Sequence, residues 1–152
     1  MKHIITIFLS LSFSFTAFSQ SANPLYDKAL ADSLGADEYG MKSYIFVILK
    51  TGPNKIEDKA ISDSLFKGHI ANINRLADAG KLVVAGPFGK NDLTYRGLFI
   101  LNVKTVEEAQ TLLQTDPAIH AGVFVTDLIP WYGSAALPLY LGFHEKIEKE
   151  KI

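Results

Sequence analysis

The sequence predicts an α+β fold of the ferredoxin-like kind, a βαββαβ chain whose four-stranded antiparallel sheet carries two helices on one face. Three observations lead to this fold class. Two segments have apolar residues at helical spacing, and four short segments are rich in β-branched and aromatic residues. Their order along the chain is strand, helix, strand, followed by strand, helix, strand, which is the order of two βαβ units sharing one sheet.

The first strand and the first long helix have the clearest patterns. Residues 43–50, SYIFVILK, are apolar on both alternating faces, and this predicts a strand that is covered on both sides. Residues 57–79 repeat apolar side chains at helical spacing and stop at Gly80, which predicts the first long helix.

The second half of the domain repeats this arrangement. Three segments predict strands two to four: residues 82–85, 95–103 and 123–129. Between the last two, Thr105 followed by Glu108 matches a capping box and predicts the start of a short helix. Asp116-Pro117 ends that helix, and Pro130 is expected to end the fourth strand.

The first nineteen residues have the layout of a cleavable secretory signal. Lys2 gives the positive start, residues 4–11 the apolar stretch, and residues 17–19 a small-x-small cleavage site. The alternative, an uncleaved membrane anchor, is disfavoured because this stretch is shorter than the ~20 residues of a span. We expect a periplasmic or secreted protein with no membrane anchor after cleavage, made of a leader (20–42), a domain (43–132) and a C-terminal extension (133–152).

Composition excludes several kinds of chemistry. The chain of 152 residues has 15 basic and 16 acidic side chains and no cysteine. Removing the 19-residue signal, which contains Lys2, leaves 133 residues with a net charge of −2. A near-neutral surface argues against nucleic acid as a partner, and the lack of cysteine excludes disulfides, thiolate catalysis and Cys-ligated metal. No cofactor is indicated.

The two-sided strands predict that the sheet face without helices is covered. Two helices cover one face, so the apolar side chains on the other face need a partner. We expect two copies of the chain to pack sheet against sheet in a homodimer. The alternative is that the apolar part of the C-terminal extension, residues 137–141, folds back over the sheet.

His69 and Asp116 are the candidate catalytic residues. His69 falls inside the apolar arc of the first helix, where an imidazole must find a hydrogen-bond partner or line a pocket. It is either a satisfied core histidine or a general acid/base in a cleft between helix and sheet. Asp116, before Pro117, is either a helix cap or the carboxylate that orients a histidine.

Three further residues are candidates for substrate binding. His120 follows Asp116 by four residues and is expected on the same side of a helical turn. Phe88, in the Gly-Pro-Phe-Gly turn, and Trp131, after the fourth strand, are candidates for the walls of a pocket. One His and one Asp do not make a metal site, so no metal is expected.

Taken together, these residues resemble the YciI-like (YCII-related) family of the dimeric α+β barrel superfamily. The resemblance covers roughly residues 43–132. Its motifs are His69-Ile70, the run GKLVVAGP at residues 80–87, EEA at 107–109, Asp116-Pro117 with a later glycine, and Pro130-Trp131.

The resemblance implies a ferredoxin-like fold, homodimers and small-molecule enzymology in which a His and an Asp act as acid and base. Those roles would fall to His69 and Asp116, with lyase- or isomerase-like chemistry. Family members often carry Arg three residues before the His, where this chain has Phe66. Two functions stay open: an enzyme acting on an unknown small molecule, or a non-catalytic ligand-binding or interaction domain of the same fold.

Overall fold

The computed structural model describes residues 23–150. The predicted signal peptide, residues 1–19, and the first three residues of the leader lie outside the described residues. Within the described part, no helix is both long and apolar enough to cross a membrane.

The chain folds as predicted into one antiparallel sheet with helices. The helices are α1 (Lys28–Leu34), α2 (Lys59–Asp78), α3 (Val106–Leu113), α4 (Pro117–His120) and α5 (Leu141–Ile147), with a 3₁₀ turn at Leu137–Tyr140. The strands are β1 (Met41–Thr51), β2 (Leu82–Pro87), β3 (Tyr95–Leu101) and β4 (Phe124–Ser134). The strand order β2-β3-β1-β4 is that of the ferredoxin-like arrangement.

Side-chain caps fix where the helices begin. Asp58 accepts hydrogen bonds from the backbone N–H groups of the first turn of α2. Thr105 accepts one from the N–H of Glu108, as the capping box predicts. The Glu108 carboxylate binds Lys81 Nζ at 3.0 Å, so it ties α3 to the residue before β2.

Both faces of β1 make apolar contacts. Ile45, Val47 and Leu49 point into the main core under the helices, where Leu76 of α2 also packs. Tyr44, on the opposite face, is fully buried in a second cluster. The face under the helices is covered as predicted, whereas the other face is covered in part: Tyr44 is buried, but Phe46 and Ile48 are only half-buried.

The C-terminal extension covers part of the second face. Leu137 packs against the cluster of Tyr44, Val83 and Ile100 on that face. The side of the face nearest β4 stays open, and Ile129 and Trp131 are 46% and 37% exposed there. The fold-back alternative is therefore realised in part, and an apolar area remains uncovered.

The prediction that Pro130 ends the fourth strand is wrong. β4 continues to Ser134, and Pro130 pairs with Ile45 of β1. β4 is an edge strand, so one of its sides makes no ladder hydrogen bonds. A proline, which lacks the N–H donor, is tolerated in such a strand.

Candidate functional site

A histidine on α2 and an aspartate before α4 form one hydrogen-bonded pair. His69 Nδ1 lies 2.6 Å from Asp116 Oδ2. The His69 side chain is 12% exposed and that of Asp116 is fully buried. A carboxylate only accepts hydrogen bonds, so the proton of this bond belongs to Nδ1.

Asp116 makes hydrogen bonds through both of its carboxylate oxygens. Its Oδ1 accepts hydrogen bonds from the backbone N–H groups of Ala118 at 2.9 Å and Ile119 at 3.3 Å, so it caps α4. Its Oδ2 is left for His69. The cap thus fixes the carboxylate in the orientation that binds the imidazole.

One contact on each side of the His69–Asp116 pair keeps α2 close to the segment that carries Asp116. A Cβ on Gly68 would lie 2.7 Å from Cγ of Pro117, so the glycine permits this approach. Four residues further along α2, the buried Asn72 accepts hydrogen bonds from Thr115 Oγ1 at 2.9 Å and from Arg75 at 2.6 Å. His69 and Asp116 are therefore held in register from both ends.

Aromatic rings surround the imidazole. The ring centroid of His69 lies 6.0 Å from that of Phe99, with the rings stacked, and 5.3 Å from that of Phe124 at a steep angle. Phe66 packs edge-on against Phe124 at 5.7 Å. The position at which related proteins are expected to carry Arg is therefore part of an aromatic wall.

His69 opens onto a cavity of about 910 Å³ between α2, the sheet and α5. Within the described residues, no buried side-chain nitrogen or oxygen lacks a hydrogen-bond partner. Nδ1 is bonded to Asp116, which leaves Nε2 as the ring nitrogen available to a ligand in the cavity that His69 lines. Most of the lining side chains are aromatic or aliphatic, and four are charged: Asp78, Arg96, Glu145 and Glu148.

The other three candidate residues do not line this cavity. Phe88 is in a loop and packs beside Tyr95, with ring centroids 6.2 Å apart. His120 is exposed at the end of α4, because Asp116 points inward while the last residue of the short helix points outward. Trp131 packs on Tyr44, on the sheet face away from the helices.

Sequence reasoning missed the part of the site that comes from distant segments. Phe124 sits at the start of β4, and Tyr140 and His144 belong to the extension, yet all three line the cavity with His69. Phe124 lies within the predicted fourth strand, and nothing in that pattern indicated that it would face His69. Among residues 23–150, no group of three or more His, Cys, Asp or Glu side chains is placed to hold a metal ion.

The fold and the pair define a class, that of ferredoxin-like α+β proteins with a His–Asp pair beneath the helices. The family model of the YCII-related domain matches residues 44–132, more than half of the chain. The chain belongs to the YCII-related domain family, as its motifs indicated.

Comparison with individual proteins gives a distant structural likeness. The chain is similar to 5-chloro-2-hydroxyhydroquinone dehydrochlorinase from Burkholderia phenoliruptrix AC1100, solved in complex with 2,5-dihydroxybenzoquinone. The two share 21% sequence identity at a TM-score of 0.42, over 57% of this chain and 92% of that one. Among curated proteins, none matches this chain.

Proposed function

We propose that this protein is an exported small-molecule enzyme in which His69 acts as a general acid/base and Asp116 orients it. The observation that carries the proposal is the geometry of the pair. Nδ1 is held 2.6 Å from a fully buried carboxylate, while the same imidazole lines a cavity of about 910 Å³. A histidine that served only packing would not need to open onto a cavity of this size.

The geometry supports proton exchange at Nε2. With its proton on Nδ1, neutral His69 presents the Nε2 lone pair to a bound molecule. Nε2 takes a proton from an acidic C–H or O–H group, the electron pair stays on the substrate, and the same nitrogen returns the proton to another atom. The Asp116 carboxylate stabilises the imidazolium that forms in between.

The aromatic wall favours a small planar substrate. Phe66, Phe99 and Phe124 offer ring faces and edges around His69, and such surfaces pack well against a flat ring. Four charged side chains also line the cavity. We therefore expect cyclic or aromatic compounds that carry one weakly acidic proton.

A ligand screen tests the proposal on the mature chain. Small cyclic C–H and O–H acids are ranked by the rise in melting temperature, and each hit is then incubated in D₂O and followed by NMR for deuterium uptake. Hits should stabilise the unmodified chain more than His69→Ala, and deuterium uptake should be lost in His69→Gln. Hits that stabilise both chains equally would remove His69 from the site, and binding without any His69-dependent exchange would favour the non-catalytic binding domain.

Export is a separate proposal, based on the signal-like residues 1–19. Mass spectrometry of protein recovered from the periplasm or medium should find a mature N-terminus near Gln20. Envelope-associated protein that still begins at Met1 would contradict it.

A homodimer is proposed from the open part of the second sheet face. Val125, Ile129 and Trp131 lie exposed there along β4, beside the half-buried Phe46 of β1. A second copy offers the same apolar strip, and pairing would cover both. Light scattering should show a dimer that Ile129→Lys dissociates. The control Ile61→Lys, at a similarly exposed isoleucine on α2, should leave it intact. A monomeric unmodified chain at micromolar concentration would refute the proposal.

A further inference from the structure

The C-terminal extension lies outside the matched domain and connects the two faces of the sheet. It leaves β4 at one edge, and Leu137 packs on the far-face cluster beside Tyr44. The Tyr140 hydroxyl then donates a 2.5 Å hydrogen bond to the backbone oxygen of Val83 in β2, the opposite edge strand. The extension thus crosses the far face and is attached at the edge of the sheet that borders the cavity.

Beyond this attachment the extension becomes a wall of the cavity. Tyr140, Leu141, His144, Glu145 and Glu148 all line the space that His69 opens onto. Burial raises the pKa of Tyr140, so its hydroxyl stays protonated and keeps donating to β2. One side of the ligand chamber is therefore built from residues that the YCII-related domain does not include.

The charged side chains that line the cavity are mostly acidic. Glu145 and Glu148 come from the extension, Asp78 from the end of α2, and Arg96 from β3. His144 lies 3.9 Å from Glu148 and offsets a carboxylate only when it is protonated. Three carboxylates against one guanidinium give this lining an excess of negative charge, which disfavours anions most at low salt, where screening is weak.

We infer that the C-terminal extension is the specificity element of this site: it forms one wall of the His69 cavity and excludes anionic ligands in favour of neutral ones of the same shape. The inference rests on the proposed function, because it takes this cavity as the ligand chamber. It adds a substrate class, uncharged acids, and assigns the selection to Glu145 and Glu148.

A pair of alkylating reagents tests the selection without knowledge of the natural ligand. Iodoacetamide and iodoacetate have nearly the same size and lose iodide to an unprotonated imidazole nitrogen, but only iodoacetate is charged. The chain has no cysteine to consume them. Peptide mass spectrometry of the folded full-length protein gives the rate at each histidine, and the exposed His120, outside the cavity, is the internal reference for His69.

The ratio of the iodoacetamide rate to the iodoacetate rate should be about fivefold higher at His69 than at His120 at low salt. The reason is that the carboxylates of the cavity wall repel iodoacetate near His69 but not near the distant His120. The double variant Glu145→Gln/Glu148→Gln should bring the two ratios to within about twofold of each other. A control that removes two charges from exposed positions outside the cavity, Glu38→Gln/Glu57→Gln, should leave the ratio at His69 unchanged.

The outcomes separate this inference from the function on which it rests. Equal ratios at His69 and His120, or a ratio at His69 that the cavity variant leaves unchanged, would overturn the inference and leave the proposed function standing. No reaction of His69 with iodoacetamide while His120 reacts would contradict the proposed function, since Nε2 would then be closed to small molecules.

Discussion

Replacing Asp116 separates its bond to His69 from its role as a helix cap. Asn at this position keeps an oxygen that accepts the N–H groups of Ala118 and Ile119, but it removes the carboxylate that binds His69. A hydrogen bond to a charged group is worth about 1.5–3 kcal/mol, so Asp116→Asn should lower the free energy of unfolding by about that amount. Asp116→Ala also loses the cap, a further cost of about 0.5–2 kcal/mol.

Urea unfolding near neutral pH measures these differences, and Asp58 supplies the matched control. Asp58 caps α2 through the same pair of backbone N–H bonds, and no histidine among residues 23–150 bonds to it. Asp58→Asn should therefore change the free energy of unfolding by only a few tenths of a kcal/mol, about what the exchange of one good cap for another costs. An Asp116→Asn variant as stable as Asp58→Asn would refute the view that the charged bond holds the pair.

Two further predictions concern a close approach and a surface pair. Gly68→Ala should lower the free energy of unfolding, because the new Cβ would lie 2.7 Å from the Pro117 ring. Gly142→Ala, with open space around it in α5, should raise the free energy of unfolding by up to about 1 kcal/mol. Urea unfolding measures both changes, and the same sign for both would contradict this reasoning. The Tyr132 hydroxyl donates to the Asp37 carboxylate, which lowers the pKa of Asp37 and raises that of Tyr132 to about 12. The bond contributes its full stability at pH values above the unfolded pKa of the Asp37 carboxyl, and this contribution is lost as the pH falls through the lowered pKa of folded Asp37. At the alkaline end it is lost as the pH rises through the pKa of folded Tyr132, about 12. Tyr132→Phe should move the pKa of Asp37 upward in an NMR titration, and an unchanged titration would show that the bond does not form.

The sequence was most informative where the pattern is local. Alternation in β1 predicted which side chains face each side of the sheet, and Asp-Pro predicted the cap of α4. The position of His69 inside an apolar arc predicted that it needed a partner or a pocket. Each of these follows from the geometry of one element, so no long-range contact was required.

What the sequence did not predict depends on neighbours that are distant along the chain. His69 and Asp116 are 47 residues apart, so their pairing follows from how α2 packs on α4. Pro130 was expected to stop a strand, because an edge strand cannot be distinguished from a central one by composition. Ile61 shares the apolar arc of α2 yet is 53% exposed, because only the later turns of the helix reach the main core.

The tautomer of His69 tests the central claim most directly. Long-range ¹H–¹⁵N NMR of the imidazole distinguishes a proton on Nδ1 from a proton on Nε2. For neutral His69 in the unmodified chain we predict the proton on Nδ1, bonded to Asp116, and a bare Nε2 that a cavity ligand perturbs. A proton on Nε2 in that chain would contradict the account, because the nitrogen facing the ligand could not then act as the base.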